Sequence, residues 1–121
     1  MAAKRRVRPA SSIRGMFWNL GGRDRRALVA QAAHTTDCDI VALSESGCDV
    51  DENLAALRQA VNVNYVCPPF TTPRLQVFAR TADLDLAEAY GTANGRLTIR
   101  TLRSRGQEFL FVAAHLVSKL R

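Results

Sequence analysis

Three polar residues, Asn19, Glu45 and His115, each stand at the far end of an apolar run. Such runs predict strands, and ligands bind at the carboxyl ends of strands in parallel or mixed sheets. A carboxylate offers the hard oxygen ligands that Mg²⁺ prefers, an amide can orient phosphate or water, and an imidazole can donate a proton or hydrogen bond to a phosphate oxygen. If one sheet edge brings them together, these side chains suit the hydrolysis of phosphate esters.

Each of the three residues also has an ordinary structural interpretation. A Glu that follows a strand is usually a solvated loop carboxylate, and a single His is usually a hydrogen-bonded structural residue. The positions of the three residues alone favour this structural interpretation over a catalytic one. The local sequences around the three residues therefore have to decide between the two.

These local sequences resemble the motifs of the endonuclease/exonuclease/phosphatase superfamily. Met16–Asn19 resembles the first strand of that family, which ends in Trp-Asn. Asp39–Glu45 resembles its Asp-Ile-x-x-Leu-x-Glu motif, which is the most specific of the three, and Val112–Leu116 resembles its strand ending in His-Leu. The order and separation of the motifs also fit, and the resemblance covers nearly the whole chain after residue 12.

The resemblance implies a metal-dependent hydrolase of phosphodiesters or phosphomonoesters, of the nuclease or phosphatase kind. Glu45 would be the ligand of Mg²⁺, with Mn²⁺ as the alternative ion. Asn19 would help to hold the metal-bound phosphate region, and His115 would polarise or protonate the scissile phosphate. The metal ion would stabilise the charge that develops while water attacks phosphorus in line. The partner is then a phosphate-ester substrate, with nucleic acid as one candidate.

The chain departs from the family pattern in two respects. Family members also carry an Asp-x-Asn motif and a late Asp-His pair, which orient and activate the water, whereas these 121 residues contain no Asp after Asp85. Ser44 stands where many members carry Gln before the metal-binding Glu. We therefore expect an incomplete domain. The alternative is a catalytically inactive fragment on the same scaffold that binds nucleic acid or another anion.

The elements that must position these residues alternate at first between strand and helix. Ile13–Leu20 and Asp39–Leu43 are predicted strands, and each is followed by a predicted helix. Asp24 is the predicted N-cap of the first helix, and the second is predicted to begin near Asp51. The fold class implied by the resemblance is α/β, namely the N-terminal half of a four-layer α/β/β/α sandwich, in which this chain supplies one mixed sheet with two helices on one face.

The rest of the chain is predicted to be rich in strands. Three short candidates are Asn64–Cys67, Leu75–Arg80 and Leu84–Tyr90, and the clearest hairpin joins Arg96–Arg103 to Glu108–Leu116. Half of a sandwich would leave the apolar face of its sheet without a covering second sheet. We therefore expect self-association through the exposed sheet face.

Two arginines of the hairpin, Arg96 and Arg100, are candidate contacts for an anionic substrate. Strand alternation puts them on one face with Thr98, opposite Leu97 and Ile99. An ordinary solvent-facing strand surface would have the same pattern. The sequence leaves both interpretations open.

Composition and charge set the outer limits. With 47% hydrophobic and 23% charged residues the chain suits one soluble globular domain, to which we assign residues 13–121, after a basic disordered tail at residues 1–12. The formal net charge of +6 has the sign expected for a protein that meets phosphate groups, although part of it lies in the tail.

Several other classes of protein do not fit the sequence. The longest apolar run, Phe109–Ala114, is far shorter than the ~20 residues that a transmembrane helix needs, and no secretory signal is evident. Cys38, Cys48 and Cys67 are odd in number and lack C-x-x-C spacing, which predicts reduced thiols and a cytoplasmic protein.

Two further motifs resemble parts of known binding sites. Asp49–Asn53 begins like a calcium loop, but Leu54 and Ala60 occupy the positions that need Gly and Glu, so an EF-hand is rejected. The pair Gly21 and Gly22 lies between a predicted strand and helix, as in a dinucleotide-binding unit, but G-x-G-x-x-G is absent. Dinucleotide binding is kept only as an alternative.

Overall fold

The computed structural model describes residues 12–61, 64–68, 74–80, 85–104 and 106–116. The predicted tail therefore lies outside the described residues, apart from Ser12. The elements of the described residues follow in chain order: β1 (Gly15–Asn19), α1 (Arg26–Thr35), β2 (Ile40–Ser44), α2 (Val50–Val61), β3 (Tyr65–Val66), β4 (Leu75–Arg80), β5 (Asp85–Gly91), β6 (Leu97–Ser104) and β7 (Gln107–Ala114).

The first sheet is mixed and has the strand order β1-β2-β4-β3. β1 and β2 run parallel, because α1 connects them, while β4 runs antiparallel to both of its neighbours, β2 and β3. All five residues of β2 are buried, as expected for a strand with a layer on each face. The predicted α/β class with a mixed sheet is confirmed.

Both helices pack on one face of this sheet. Val29 and Ala33 of α1 and Leu57 of α2 are buried in a common core with Leu43 and Phe78 of the sheet. This contact follows from the helical repeat, which puts residues four apart on one side of a helix. The sequence therefore predicted the layer correctly.

The start of α1 differs from the prediction, whereas α2 begins at Val50, next to the predicted Asp51. Arg25, not Asp24, is the N-cap of α1 and makes no side-chain capping bond. Asp24 Oδ1 instead accepts a 3.3 Å hydrogen bond from the Arg26 backbone N–H. α2 has a reciprocal capping box, because Asp49 Oδ1 accepts from the Glu52 N–H at 2.8 Å and Glu52 Oε1 accepts from the Asp49 N–H at 3.0 Å.

The second sheet has three antiparallel strands in the order β5-β6-β7. It covers the other face of the first sheet, where Leu102 and Ala113 pack with Ile40, Ala42 and Val77. We expected this chain to supply one sheet, but it supplies two. The strands β5, β6 and β7 pair with one another and form a separate layer. The described residues form an α/β/β part of the sandwich.

The second sheet also changes which apolar surface is expected to be exposed. In the first sheet, β2 is buried throughout, whereas Phe17 of the edge strand β1 is 53% exposed. On the outer face of the second sheet, Leu110 is 70% exposed, Tyr90 62% and Val112 51%. We call Tyr90, Leu110 and Val112 the outer apolar face. Self-association through an exposed sheet face stays a prediction, and the outer apolar face is a surface that could serve it.

The opposite end of the first sheet from the candidate site is held by polar contacts. Arg80, at the end of β4, forms ion pairs with Asp37 and Asp39, which precede β2. The Tyr65 hydroxyl donates a 2.7 Å hydrogen bond to the Cys38 carbonyl. These contacts hold the end of β4 and the start of β3 next to the residues that precede β2. They therefore help to set the register of β2, β4 and β3.

No helix in the described part of the chain is long and apolar enough to cross a membrane.

Candidate functional site

The ends of β1 and β2 lie side by side. In the parallel register Asn19 is opposite Ser44, so Glu45 is the first residue beyond the paired ends. Parallel strands present their carboxyl ends at the same edge, which is where side chains from successive strands can converge. The sequence predicted this arrangement for Asn19 and Glu45.

The three predicted site residues meet at one oxygen atom. Asn19 Nδ2 donates a 2.7 Å hydrogen bond to Glu45 Oε2, and His115 Nε2 lies 3.0 Å from the same oxygen. His115 follows the end of β7, so it reaches the site from the second sheet and not from the edge shared by β1 and β2. The prediction that the three side chains lie together is confirmed, although two sheets contribute them.

The amide of Asn19 has a defined orientation. Its Oδ1 accepts a 2.9 Å hydrogen bond from the Gly21 N–H, which leaves Nδ2 to donate to Glu45. Gly21 has a φ of 61°, in the left-handed region that glycine adopts without strain. The glycine turn after β1 therefore sets which end of the amide faces the carboxylate.

Glu45 has a strained backbone and an accessible side chain. Its φ is 50°, a value uncommon for residues other than glycine and concentrated at functional sites. The Glu45 carbonyl accepts a 2.6 Å hydrogen bond from the Gly22 N–H, which fastens this turn to the turn after β1. The Glu45 side chain is 45% exposed, so its carboxylate is open to a ligand.

The surroundings of Glu45 favour its ionised form. The hydrogen bond from Asn19 is the largest cause that lowers the pKa of the Glu45 carboxyl, and His115 and Arg96 act in the same direction. These contributions outweigh desolvation, which acts to raise the pKa. The site therefore presents a carboxylate at neutral pH.

His115 and Arg96 are neighbours across the hairpin. The His115 N–H donates to the Arg96 carbonyl at 2.7 Å, and Arg96 Nη1 lies 3.4 Å from the His115 carbonyl. Among the described residues, His115 Nδ1 is buried without a hydrogen-bond partner. With Glu45 ionised, Nε2 is the nitrogen that donates its proton. Arg96 thus contributes positive charge close to the site, which a contact with an anionic substrate would need.

Arg100 does not lie at the surface. It is 1% exposed and lies on the inner face of β6 with Thr98, which is 4% exposed. Burial is the largest cause that lowers the pKa of its guanidinium. The expectation of a solvent-facing strand surface is wrong, and Arg100 does not line an exposed groove, because this face of β6 packs between the two sheets.

The donor set fits a hard cation that keeps much of its hydration. Among the residues described, no group of three or more His, Cys, Asp or Glu side chains could hold a metal ion. Glu45 Oε1 takes part in no hydrogen bond within the described ranges, while Oε2 is held by Asn19 and His115. Mg²⁺ commonly binds through one or two carboxylates and several waters, so one oriented carboxylate suits it.

Sequence reasoning missed the residues that hold the turn after Glu45. A Cβ on Gly47 would lie 2.5 Å from the backbone carbon of Arg23, so only glycine allows this close approach. Gln76 and Asn53 are buried and hydrogen-bond to the same turn. Gln76 could have been noticed, because it interrupts an otherwise apolar strand.

Ser44, which stands where many family members carry Gln, is fully buried beneath the site. Its Oγ has no hydrogen-bond partner among the described residues. The short side chain therefore contributes no bond to the neighbouring carboxylate, and the orientation of Glu45 depends on Asn19, His115 and the turn.

No protein-family model matches the sequence, and no curated protein matches it either. Solved structures do resemble the fold. TDP2 of D. rerio, complexed with a single-strand DNA product, has 20% sequence identity and a TM-score of 0.63, over 90% of this chain and 48% of the TDP2 chain. The endonuclease domain of TRAS1, a telomere-specific non-LTR retrotransposon, has 18% identity and a TM-score of 0.56, over 87% of this chain and 46% of that domain.

The chain thus spans about half the length of these two structures. At this level of identity the likeness concerns the fold. It agrees with the motif resemblance, and the chain has an endonuclease/exonuclease/phosphatase-like fold.

Proposed function

We propose that this protein is a metal-dependent hydrolase of phosphate esters, phosphodiesters above all, with Asn19, Glu45 and His115 in its site. The observation that carries the proposal is the convergence of the three side chains on Glu45 Oε2 at 2.7 and 3.0 Å. An ionised carboxylate, an oriented amide and an imidazole donor are the groups that phosphate-ester hydrolysis needs at the metal and the phosphate.

Glu45 would hold the ion, Mg²⁺ or Mn²⁺, through its carboxylate, and water molecules would complete the coordination. An ion held there would supply electrostatic stabilisation to the phosphate oxygens. Asn19 keeps the carboxylate oriented, because its amide is itself fixed by Gly21. Glu45 therefore meets the ion without first having to be ordered.

His115 would act on the phosphate. Its Nε2 proton, which now faces Glu45, is in reach of an oxygen bound beside that carboxylate. Donation of this hydrogen bond, or of the proton, offsets the negative charge of the phosphate. Arg96, bonded to the backbone of His115, adds positive charge on the same side.

We further propose that the substrate is nucleic acid. The D. rerio TDP2 structure contains a single-strand DNA product, and the TRAS1 structure is that of an endonuclease domain. The net charge of +6 in this chain suits a polyanionic partner. Of the two predicted arginines, Arg96 lies where it could contact the backbone of such a strand, while Arg100 does not.

The groups that orient and activate water lie outside the 121 residues in this proposal. The chain spans about half the length of its structural neighbours, and it has no Asp after Asp85. A second candidate follows from the same observation, namely a scaffold that binds nucleic acid or another anion without catalysis. For either function we propose a cytoplasmic protein, because Cys38, Cys48 and Cys67 are all free thiols, as is usual in that reducing compartment.

The experiment compares the unaltered protein with Glu45→Gln and the control Glu108→Gln. Glu108 is an exposed carboxylate of β7, paired with Arg103 at 3.3 Å and remote from the site. Mn²⁺ titration and cleavage of a labelled single-stranded DNA with Mg²⁺ are measured. We expect Glu45→Gln to abolish Mn²⁺ binding and any cleavage, while Glu108→Gln changes neither.

Two results would count against the proposal. Cleavage that persists in Glu45→Gln would overturn the role of that carboxylate. Salt-sensitive DNA binding with no Mn²⁺ binding at Glu45 would favour the binding scaffold without catalysis.

A further inference from the structure

Two buried amide side chains, Asn53 of α2 and Gln76 of β4, contact each other below the candidate site. Asn53 is 1% exposed and Gln76 2%. Asn53 Nδ2 donates a 2.8 Å hydrogen bond to Gln76 Oε1. We call these two residues the amide pair.

The remaining hydrogen bonds of the amide pair end on the turn that follows Glu45. Gln76 Nε2 donates to the Cys48 carbonyl at 3.0 Å, and Asn53 Nδ2 donates to Ser46 Oγ at 2.9 Å. Ser46 Oγ also accepts from the Cys48 N–H at 3.1 Å. The amide pair therefore fastens residues 46–48 to the core.

Stability alone does not account for the amide pair. Burial of an amide costs free energy that its hydrogen bonds only partly return, and a pair of apolar side chains of similar shape avoids this cost. Among the described residues, Asn53 Oδ1 is buried without a hydrogen-bond partner, which adds to the cost. Retention of two amides here needs another reason.

The strained backbone of Glu45 supplies such a reason. A residue other than glycine in the left-handed region persists only where its neighbours hold it. On one side, Glu45 and Gly47 are bonded to the turn after β1, through the Gly22 N–H to Glu45 carbonyl bond at 2.6 Å and the Gly47 N–H to Arg23 carbonyl bond at 2.9 Å. On the other side, the amide pair connects residues 46–48 to the core.

We propose that Asn53 and Gln76 are positioning residues that hold the Glu45 carboxylate in place for a divalent cation. The role of Glu45 as ligand rests on the proposed function, whereas the fastening of the turn does not. Neither residue contacts the ion. Loss of residues that orient a ligand commonly lowers metal affinity by about 10–100-fold.

The experiment replaces the amide pair by apolar side chains in Gln76→Met, Asn53→Leu and the double variant. Gln59→Met, at an exposed position of α2, is the matched control. We measure Mn²⁺ affinity, hydrogen exchange of the Gly22 and Gly47 amides, and the urea midpoint.

We expect Mn²⁺ affinity to fall about tenfold and exchange of the two amides to rise about tenfold, while the urea midpoint of the double variant stays level or rises. Gln59→Met should change none of these. Ser46→Ala, which removes the hydroxyl that receives the Asn53 bond without altering the core, should raise the exchange of the same two amides even if the core variants fail to fold.

Equal exchange of these amides in the variants and the unaltered protein would overturn the proposal. So would acceleration of all amides alike, which marks a general loss of stability and not a local role. Absence of Mn²⁺ binding in the unaltered protein would overturn the proposed function, and the exchange rates would then still decide whether the amide pair fastens the turn.

Discussion

His115 Nε2 lies 3.0 Å from Glu45 Oε2, although 70 positions separate these residues in the chain. Glu45 follows a strand of the first sheet and His115 follows a strand of the second. Their contact therefore depends on the packing of one sheet on the other. The candidate site and the β/β interface form together.

The first prediction separates the roles of these two residues through His115→Ala. Glu45 is still held by Asn19 in this variant, so Mn²⁺ affinity should change little. Loss of a donor to an ionised group should weaken binding of inorganic phosphate in the presence of Mn²⁺ roughly tenfold. Because the Glu45 side chain is 45% exposed, the free energy of unfolding should change little. A loss of Mn²⁺ binding as large as in Glu45→Gln would contradict this division of roles.

The sequence predicted that the three candidate residues lie close together, because its signals are local. Each of the residues Asn19, Glu45 and His115 follows an apolar strand, and such strand ends can be recognised without knowledge of the tertiary structure. The separation into two sheets could not be recognised in this way, because pairing partners are set by contacts between distant segments. The prediction therefore placed these residues together but assigned them to one sheet.

The two faces of β6 illustrate the limit of alternation. Thr98 and Arg100 look like an outer face when the strand is considered alone. The hairpin register places Arg100 opposite Phe111 and Thr98 opposite Ala113, and Phe111 and Ala113 pack into the core between the sheets. The partner strand thus determines which face is buried, and the register of the hairpin would have been the signal.

The second prediction concerns Gly47→Ala. A Cβ at this position would meet backbone atoms of Arg23, Asp24 and Gly22 at 2.5–2.7 Å, and backbone cannot move aside as a side chain can. We expect a loss of about 1–3 kcal/mol in the free energy of unfolding, measured by urea denaturation. Gly15→Ala is the control, because the nearest atom to its Cβ would be 4.0 Å away. Equal stability of the two variants would show that the turn can relax.

The third prediction is a dependence of stability on alkaline pH through Tyr65. Burial raises the pKa of its hydroxyl to about 12, from an unfolded value of about 10. The folded state thus binds the proton more tightly, so this contribution is complete below pH 10 and is lost as the pH rises towards 12. The loss should reach roughly 2–3 kcal/mol.

Tyr65→Phe should flatten this part of the pH profile, measured as urea midpoints between pH 9 and pH 12. It should also lower stability near neutral pH by about 1 kcal/mol, because the Cys38 carbonyl loses its 2.7 Å hydrogen bond. Tyr90→Phe is the control, since Tyr90 is 62% exposed. A profile that is equally steep in Tyr65→Phe would assign the alkaline loss to other groups.

The last prediction concerns the outer apolar face formed by Tyr90, Leu110 and Val112. Tyr90 of β5 and Val112 of β7 both pair with Ile99 of the central strand β6, and the three side chains of the face are each more than half exposed. A contiguous apolar surface of this kind favours association. The 121-residue chain should therefore form larger species as its concentration rises, as measured by sedimentation velocity.

The double substitution Leu110→Lys and Val112→Lys should shift this equilibrium towards the monomer, because bringing the outer faces of two copies together would then bury unpaired charge. Both positions are exposed, at 70% and 51%, so the substitutions leave the core between the sheets intact. Leu28→Lys is the control, since Leu28 is 47% exposed on α1, in the helical layer beyond the first sheet. Association that Leu28→Lys weakens as much as the double substitution would place the contact elsewhere, and a monomer at every concentration would contradict the prediction itself.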